Sequence, residues 1–406
     1  MKRILFVTAA LGYGIGGSEK ALIEMLKCMD LNKYKVTVLT LTEKPEKPFY
    51  WDGIDIVYGF EPLLRISKPL RYVLTHMQEY KGCELVAKIQ IAIKTRQTNE
   101  YIANYIWERY KQLLPMLDGK YDVVVGYGLG FATFFATDMV DADRRILWMD
   151  NDLALANIDI EYNRKYYETA DAVAVVDKSQ ISRLCDVYPT LKGRVFAIRN
   201  IIPFDEIKEK ARLGKGFEDE YNDIRILSVG RLSTEKKFSL AVDAASILKK
   251  KGHRFRWYII GFGPLEKEIR QQITELDVSD CVILLGQQLN PYPYFAQTDL
   301  YVQTSIYEGS CITIEEAMVF CKPVVTTNFP PAYNKIINGE NGYIVEMTPE
   351  AIADKIEKLF CNEDICKKMI EYQAMHPLSY EGIITEFDRM ICFTSNKNEK
   401  KYNSRK

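Results

Sequence analysis

Residues Leu300 to Thr327 read LYVQTSIYEGSCITIEEAMVFCKPVVTT. An apolar run at Leu300–Thr304 leads through a short polar loop to a segment with helical spacing at Ile312–Phe320, and a second apolar run follows at Pro323–Thr327. Short apolar runs that lack polar alternation are typical of parallel strands covered on both faces. The stretch therefore predicts strand, helix and parallel strand, which is the repeating unit of a doubly wound α/β sheet.

The same alternation of apolar runs and helical spacing occurs in both halves of the chain. It restarts after Asn200, where the polar stretch KEKARLGKGFEDEYND is typical of a linker. We therefore predict two Rossmann-like domains, at residues 1–200 and 201–380, and a C-terminal helix with a basic tail at 381–406. The other predicted strands and helices are Ile4–Thr8, Glu19–Met29, Lys35–Leu41, Asp122–Gly126, Ala172–Val176, Ile224–Gly230, Ser239–Lys251, Trp257–Gly261, a helix opened by Pro264, and Val282–Gly286.

Composition limits the kind of protein this can be. The chain has 406 residues, of which 47% are apolar, and this is enough for two domains with their own cores. Its 54 basic and 55 acidic residues nearly cancel, which argues against a nucleic-acid-binding surface. No run of about 18 apolar residues occurs, so no membrane-spanning helix is predicted. The N-terminal MKRILFVTAA is predicted to be a first strand rather than a signal peptide.

Cysteines and histidines bear on the cellular compartment and on metals. The nine cysteines include no C-x-x-C pair, and the three histidines lie far apart. In a chain of this length, the pattern predicts reduced, mostly buried thiols in a cytosolic protein. No Cys/His spacing suits a metal, so no structural zinc site is expected.

Residues 62–117 break the alternation with a long helical pattern. Leu, Ile, Val and Tyr are interleaved there with basic side chains. We expect a helical insertion in the first domain with a solvated basic face. The alternative is an interfacial helix that meets anionic lipid. The basic residues are Arg65, Lys68, Arg71, Lys81, Lys88, Lys94 and Arg96.

The loop GYGIGGS follows the first predicted strand and opens the first helix. It contains G-x-G-x-x-G at Gly12, Gly14 and Gly17, a pattern whose backbone N–H groups can approach a phosphate at a helix N-terminus. The dinucleotide fingerprint also needs an acidic residue near the end of the second strand, and Glu43 lies beyond that strand. Taken alone, the motif favours a glycine turn over an NAD site.

Two cations follow the predicted strand that ends at Gly230. In the loop GRLSTEKK, Arg231 and Lys236 are well placed to hold a diphosphate, because arginine can grip it as a fork and lysine adds a point charge. The alternative is a solvated run of charges. The turn Gly261-Phe-Gly263, which follows the next strand, is predicted to be structural.

Two glutamates of the opening stretch lie near the carboxyl edge of the same predicted sheet. Glu308 precedes a predicted helix N-terminus at Ser310–Ile312, whose free N–H groups and dipole suit an anionic or hydroxyl-rich ligand. Glu316 lies further into that helix and can accept hydrogen bonds from two hydroxyls, as an acidic residue does with ribose in dinucleotide sites. By themselves, Glu315 and Glu316 would be ordinary exposed helix residues. Together with the two cations of the preceding motif, Glu308 and Glu316 form a group of charged residues near one edge of the predicted sheet. We call this group the constellation.

The spacing G-R-L-x-x-x-K followed by E-G-x6-E-A resembles the retaining glycosyltransferases of family 4, whose GT-B fold has two Rossmann-like domains facing a cleft. The segment from Asn290 to Thr327 is similar to bacterial capsular and exopolysaccharide members, and the resemblance runs from the first strand to about residue 345. It implies transfer of a sugar from a nucleotide-sugar donor, preferably a UDP-sugar, to a glycan or lipid-linked glycan in surface polysaccharide synthesis. It also implies no metal or other cofactor, and a cytoplasmic enzyme at the inner face of the plasma membrane.

The resemblance implies roles for single residues. Arg231 and Lys236 would hold the donor diphosphate, Glu308 would lie beside the transferred sugar, and both the cations and Glu308 would act in catalysis. Glu316 would bind the donor ribose. The remaining implied contacts come from the backbone amides of Ser310, Cys311 and Ile312 and from the glycine loop of the other domain at Gly16 and Gly17.

One position departs from the family pattern. Members often carry a histidine where this chain has Asp150, directly after Ile146-Leu-Trp148-Met. The resemblance implies that Asp150 takes the catalytic place of this histidine and contacts a sugar hydroxyl, and the alternatives are an altered acceptor or a weakened enzyme. Two rival functions stay open: an NAD-dependent Rossmann oxidoreductase, and a non-catalytic nucleotide-binding partner subunit that kept the fold.

Overall fold

The computed structural model describes residues 1–12, 17–97, 102–150 and 159–393. The chain divides into two compact units, one of Met1–Ile201 with Glu381–Lys406 and the other of Ile202–Tyr380. Each unit is built on one parallel β-sheet flanked by helices. Two Rossmann-like α/β domains were predicted from the sequence, and this prediction is confirmed. None of the helices in the described residues has the length and apolar character needed to cross a lipid bilayer.

The first unit contains a seven-stranded sheet with the order β3-β2-β1-β4-β5-β6-β7. The order reverses between β1 and β4, so the ends of these two strands mark the switch point of the sheet. Its described strands are β1 (Lys2–Thr8), β2 (Tyr34–Thr40), β3 (Ile54–Tyr58), β4 (Leu117–Tyr127), β5 (Val140–Met149), β6 (Ala172–Val175) and β7 (Val195–Ala197). Its first helices are α1 (Gly17–Lys27), α2 (Glu61–Ser67), α3 (Leu70–Thr75), α4 (Gly82–Gln97), α5 (Ile102–Tyr110), α6 (Phe131–Asp138), α7 (Ile160–Thr169) and α8 (Ser179–Val187).

The second unit contains a six-stranded sheet with the order β10-β9-β8-β11-β12-β13, which reverses between β8 and β11. Its helices are α9 (Phe204–Leu213), α10 (Phe238–Lys250), α11 (Glu266–Glu275), α12 (Tyr292–Gln297), α13 (Ile312–Val319), α14 (Pro349–Phe360) and α15 (Glu363–Met375). Pro264 was predicted to open a helix, but α11 begins two residues later, with Leu265 as its N-cap. The strands are β8 (Ile224–Val229), β9 (Phe255–Ile260), β10 (Val282–Gly286), β11 (Leu300–Gln303), β12 (Val324–Thr327) and β13 (Gly342–Val345).

The chain returns to the first unit in the final described helix, α16 (Ile383–Cys392). Phe387 and Met390 are fully buried in the core of that unit. The Tyr34 hydroxyl donates a hydrogen bond of 2.8 Å to Asp388, and Arg144 donates one of 3.2 Å to the Met390 carbonyl. These contacts fix the helix that was predicted within residues 381–406. The basic tail at residues 394–406 lies outside the described residues.

The polar stretch predicted to be a linker is ordered structure. Its first six residues belong to α9, which packs on α12. Further along, Asp219 accepts hydrogen bonds of 2.7 Å from both Arg225 and Arg256, and another from Tyr258. Partial burial opposes the charge of Asp219, but Tyr258 and the two arginines outweigh it and lower its pKa to about 2. High local polarity here reflects a network that clamps the segment onto the sheet.

One basic side chain of the helices between β3 and β4 is turned inward, so the predicted solvated basic face is wrong for Lys88, whereas Arg65 and Lys68 are partly exposed. Arg65 forms an ion pair of 2.5 Å with the buried Glu84, and Lys68 forms one of 2.6 Å with Glu43. Lys88 is buried and donates a hydrogen bond of 3.0 Å to the Tyr110 hydroxyl, and burial lowers the pKa of Lys88 to about 8.

The outer face of the first half of α4 is apolar instead. Val86 is 54% exposed and Ile89 is 41% exposed, whereas Glu84 and Lys88 of the same helix are buried. A surface helix normally presents the reverse arrangement. Cys83, which is also exposed, precedes Val86 on the same face.

The cysteines are free thiols, but they are not mostly buried as predicted. Only Cys281 and Cys311 are buried. Cys83, Cys361 and Cys392 are exposed because they lie at the ends of helices rather than on their core-facing sides. Among the described residues, no group of three or more His, Cys, Asp or Glu side chains is arranged to hold a metal ion.

Candidate active site

The two charged motifs of the second unit meet at the switch point of its sheet. The loop after β8 carries Arg231 and Lys236, and the loop after β11 carries Glu308. β8 and β11 are paired neighbours, with Leu300 opposite Ile226. In open parallel sheets, ligands bind at the carboxyl ends of the strands on either side of such a reversal. The fold therefore brings both motifs to the edge where a ligand is expected.

The loop after β8 lies backbone to backbone on the loop after β9. The Leu232 N–H donates a hydrogen bond of 3.0 Å to the Phe262 carbonyl. A Cβ on Gly261, whose φ is 151°, would lie 1.8 Å from the Gly230 oxygen, and one on Gly263 would lie 2.4 Å from the Leu232 oxygen. Only glycine permits this approach. The turn from Gly261 to Gly263 thus has the structural role that was predicted for it.

Lys236 and Glu308 form a shielded ion pair at the centre of this edge. The Lys236 Nζ lies 2.5 Å from Glu308 Oε1, and the two side chains are 17% and 9% exposed. Ser305 Oγ donates to the same oxygen at 2.6 Å, and Gln303 Nε2 donates to it at 3.2 Å. Glu308 Oε2 accepts no hydrogen bond from the part of the chain that the structure describes. One carboxylate oxygen is therefore fixed by three donors, and the other can accept from a ligand.

The two cations of the motif have different surroundings. Burial opposes the charge of Lys236, but Glu308, Cys311 and Glu235 together outweigh burial and raise the pKa of Lys236 above its usual value. Lys236 is therefore a cation at neutral pH. Arg231 is exposed, and its guanidinium forms no hydrogen bond or ion pair with other described residues. Its donors are free to grip an anion from outside.

A second layer of polar side chains orients the pair. The amide oxygen of Gln303 accepts hydrogen bonds from the Tyr301 hydroxyl and, at 3.2 Å, from the Thr313 hydroxyl. Both bonds turn the Gln303 amide nitrogen towards the glutamate. The Thr304 hydroxyl donates a bond of 2.9 Å to the Lys236 carbonyl, which ties the two loops together. Sequence patterns did not single out these residues.

The N-terminus of α13 lies beside Glu308. Its N-cap, Cys311, has a φ of 55° and makes no side-chain hydrogen bond to the first turn. The first-turn N–H groups are thus not occupied by a capping side chain, and they can bind an anion. Burial, followed by Glu308, raises the pKa of the Cys311 thiol, which disfavours a thiolate at this helix end. Ser310 is likewise buried.

Both glutamates of α13 are buried, so their interpretation as ordinary exposed residues is wrong. Glu316 accepts a hydrogen bond of 3.1 Å from the Tyr292 hydroxyl of α12. Glu315 lies 2.5 Å from the Lys335 Nζ, and each of these two side chains is 7% exposed. Two adjacent buried carboxylates on a helix of eight residues are unusual and call for specific partners.

A separate cluster lies at the carboxyl edge of the first unit's sheet. Ser18, in the first turn of α1, donates a hydrogen bond of 2.5 Å to Asp150, which directly follows β5. Burial raises the pKa of Asp150 above its usual value, and the bond from Ser18 opposes this rise. Gly17 begins α1, and Gly16 lies outside the described residues. Asp150 was predicted from the sequence, whereas Ser18 was not singled out.

The acidic residue that a dinucleotide site would need after the second strand has another partner. Glu43, the nearest candidate in sequence, is 2.6 Å from Lys68 in an ion pair. Gly12 has a φ of 91°, and a Cβ there would lie 2.9 Å from the Phe49 nitrogen. The positive φ of Gly12 and its close approach to Phe49 thus account for a glycine at this position without a bound dinucleotide.

Comparison with known proteins identifies the domain that carries the charged motifs. Residues 212–375 match the family model of glycosyl transferases group 1. This segment contains both cations and both glutamates of the predicted constellation. The match covers most of the second unit, which is thus similar to group 1 glycosyl transferases.

The relatives of this chain include bacterial glycosyltransferases with assigned names. The chain is 28% identical over 209 residues to an N-acetylgalactosaminyltransferase of Campylobacter jejuni that acts on N-acetylgalactosamine-N,N'-diacetylbacillosaminyl-diphospho-undecaprenol, covering 51% of this chain and 55% of that protein. It is 29% identical over 183 residues to the amylovoran biosynthesis glycosyltransferase AmsK of Erwinia amylovora, covering 43% of each chain. The chain thus spans about half the length of these relatives.

Solved structures share the whole fold. The TarM mutant of S. aureus in complex with fondaparinux, alpha-GlcNAc-glycerol and UDP aligns with a TM-score of 0.68 and 15% identity, covering 97% of this chain and all of that chain. Anabaena HepE in complex with UDP and glucose aligns with a TM-score of 0.62 and 16% identity, covering 96% of this chain and 99% of that chain. The predicted GT-B architecture is confirmed by this likeness, which at such identity concerns the fold alone.

Proposed function

We propose that the protein is a retaining glycosyltransferase that moves a sugar from a nucleotide-sugar donor, preferably a UDP-sugar, to a glycan or lipid-linked glycan acceptor in surface polysaccharide synthesis. The observation that carries this proposal is the shielded Lys236–Glu308 pair, with exposed Arg231 beside it, at the switch point of a domain similar to group 1 glycosyl transferases. The names of the relatives support the substrate class, and UDP in the similar solved structures supports the choice of nucleotide.

Each site residue then has a chemical role at the donor. Arg231 and Lys236 hold the diphosphate, and the backbone amides at Ser310–Ile312 contact phosphate or sugar hydroxyls. Glu316 accepts hydrogen bonds from the ribose hydroxyls. The free Oε2 of Glu308 faces the transferred sugar. Such a set binds a nucleotide sugar through protein cations and helix amides alone, so we propose that no metal or other cofactor is needed.

The reaction follows from where charge develops. As the bond between the anomeric carbon and the diphosphate oxygen breaks, negative charge grows on the leaving diphosphate and positive charge on the sugar ring. Lys236, Arg231 and the α13 N-terminus stabilise the former, and Glu308 stabilises the latter. The acceptor oxygen forms the new bond on the same face, and its proton passes to the leaving phosphate. A reaction of this kind needs no Ser-His-Asp or Cys-His nucleophile.

The first unit supplies the remaining contacts in this proposal. The glycine loop at Gly16 and Gly17 approaches the donor phosphate, and Asp150 contacts a sugar hydroxyl. The hydrogen bond from Ser18 orients Asp150 for that contact. An alternative is a non-catalytic nucleotide-binding subunit, which the aspartate in place of the usual histidine would favour. An NAD-dependent oxidoreductase is disfavoured, because it assigns no role to the buried glutamates.

Nucleotide binding tests the proposal directly. Thermal unfolding is measured with UDP, GDP and NAD for the wild type and Arg231→Ala. A nucleotide at 100 times its dissociation constant stabilises by about 2.7 kcal/mol, so UDP should raise the midpoint of the wild type clearly and that of Arg231→Ala only slightly. Arg254→Ala is the matched control, because Arg254 is 82% exposed and pairs only with Asp223 among the described residues. Stabilisation by NAD alone would contradict the proposal.

A lipid-linked acceptor would require the enzyme to reach a membrane surface. We propose that the outer surface of α3 and α4 makes this contact at the inner face of the plasma membrane. Tyr72, Leu74, Val86 and Ile89 are exposed there, and an apolar outer face on a helix with inward-turned charges suits the headgroup boundary. Exposed Arg71 and Lys81 flank these side chains, with Glu79 as the opposing charge. The free cations favour anionic lipid.

Vesicle sedimentation tests this contact. The wild type should pellet with vesicles that contain phosphatidylglycerol and much less with phosphatidylcholine alone, and Val86→Glu with Ile89→Glu should abolish pelleting. Lys68→Glu serves as the control, because Lys68 is engaged by Glu43. If the wild type stays in the supernatant with both vesicles, the membrane proposal is wrong. Concentration-dependent dimers lost in the double variant would assign the surface to a second copy instead.

A further inference from the structure

The Glu315–Lys335 pair is a second buried charge pair at α13, distinct from the pair at Glu308. Glu315 lies in the first turn of α13, and Lys335 follows the 3-10 turn Pro330–Asn334 after β12. Their charged atoms are 2.5 Å apart, and each side chain is 7% exposed. Removing one partner of such a pair leaves the other as an uncompensated charge in a poorly solvated place. Removing either partner therefore leaves a single charge that produces a strong local electrostatic field.

The position of Glu315 is unfavourable for an anion-binding helix end. The α13 N-terminus offers about half a positive charge to a ligand. A bare carboxylate in the same turn would cancel this charge and repel a diphosphate. The electrostatic effect of Lys335 reaches this turn. Burial and Glu308 raise the pKa of the Cys311 thiol at the N-cap, and Lys236 and Lys335 both oppose this rise.

The backbone of Lys335 is held in place by neighbouring residues. Its carbonyl accepts a hydrogen bond of 2.9 Å from the Asn341 amide nitrogen, and the Asn341 amide oxygen accepts one of 2.9 Å from the Ile337 N–H. Asn341 is itself buried. The cation thus comes from an ordered turn rather than from a loose surface side chain, and it stays opposite Glu315.

We propose that Lys335 is a positioning residue for donor binding, which neutralises Glu315 so that the N-terminus of α13 stays electropositive towards the diphosphate. This inference rests on the proposed function, because it concerns the same nucleotide site. Lys335 acts through Glu315 and the helix end, without contact to the donor. The two charges should therefore affect diphosphate affinity with opposite signs.

Calorimetric titration of UDP into folded wild type, Lys335→Met and Glu315→Gln measures this. Lys335→Met exposes the helix end to an uncompensated carboxylate and should weaken UDP about tenfold, the effect of one charge within roughly 10 Å. Glu315→Gln leaves an uncompensated cation and should tighten UDP by a similar factor. The double variant should return to within about threefold of the wild type. Uridine, which lacks the diphosphate, should bind all four proteins alike.

The outcomes separate the inference from the proposed function. A merely structural pair predicts that both single variants weaken UDP and uridine together, and this result would overturn the role of Lys335. Should Lys335→Met fail to fold, Glu315→Gln alone decides, because tighter UDP binding supports the proposal and weaker binding overturns it. A wild type that binds neither UDP nor GDP refutes the proposed function and the inference with it. GDP and guanosine replace the uridine probes if GDP is the nucleotide that binds.

Discussion

Replacing Lys236 with methionine should lower the rate of sugar transfer about a thousandfold. Lys236 is the shielded cation at the switch point, where the leaving diphosphate gains charge, and a preorganised group in such a place contributes about a hundred- to a thousandfold to the rate. The substitution also removes the partner of Glu308, and the unpaired carboxylate then repels the diphosphate. Turnover of UDP-sugar to UDP, together with calorimetric UDP affinity, measures both effects.

The neighbouring lysine provides the control for this variant. Lys237 is exposed and has a φ of 48°, so Lys237→Asn removes the same charge while keeping a residue that tolerates the left-handed conformation. It should retain nearly full activity. Urea unfolding of Lys236→Met must show a folded protein before its rate is interpreted. A folded Lys236→Met with activity within about tenfold of the wild type would remove Lys236 from the catalytic centre.

The sequence sufficed to predict the main frame of the second unit because its parallel strands are covered on both faces. Such strands are short apolar runs, and the residues after them must lie at one edge of the sheet. Arg231, Lys236 and Glu308 follow β8 and β11, so knowing where each strand ends was enough to bring them together. The strands β3, β7 and β13 were missed, since they are short and their burial is incomplete. The strand β5 was also missed, because exposed aspartates interrupt the apolar pattern in its first half.

Partners that lie far apart in sequence could not be predicted in the same way. The hydrogen bond from Ser18 to Asp150 and the ion pair between Glu315 and Lys335 depend on how loops from different strands meet. Periodicity carries no information on such pairing, because a buried carboxylate and an exposed one can occupy the same place in a helical repeat. The pattern was misleading for α4, because two charged residues that would normally face solvent are buried. Glu84 pairs with Arg65, and Lys88 donates a hydrogen bond to Tyr110.

Their bonding partners distinguish the two buried glutamates in a way that spacing alone does not. Glu308 is held by a lysine, a serine and a glutamine on one oxygen, whereas Glu316 accepts a hydrogen bond from the phenol of Tyr292. A carboxylate paired with a cation can balance charge that changes during a reaction. A carboxylate that accepts a hydrogen bond from a phenol is suited to accept hydrogen bonds from other neutral hydroxyls. We therefore expect Glu308 to affect the chemical step and Glu316 to affect donor affinity.

The variant Glu308→Gln tests this division, with an expected fall in turnover of about a hundredfold or more. Glutamine keeps the shape of the side chain and can still accept from Ser305 through its amide oxygen, but it lacks the charge that stabilises the sugar ring as it becomes positive. UDP should bind at least as tightly as to the wild type, because Lys236 is no longer neutralised. Single-turnover kinetics with saturating donor, and UDP titration, separate the two quantities.

Glu316→Gln is the matched variant, because it makes the same change eight residues further along the same segment. It should weaken UDP about tenfold, as expected for the loss of a hydrogen bond to a charged acceptor, and leave the rate at saturating donor nearly unchanged. A loss of UDP affinity in Glu308→Gln with normal turnover would reverse the two assignments. If both variants lose affinity and rate alike, the carboxylates act as one structural unit. The assignment of separate roles to Glu308 and Glu316 would then be wrong, although the proposed nucleotide site would not be contradicted.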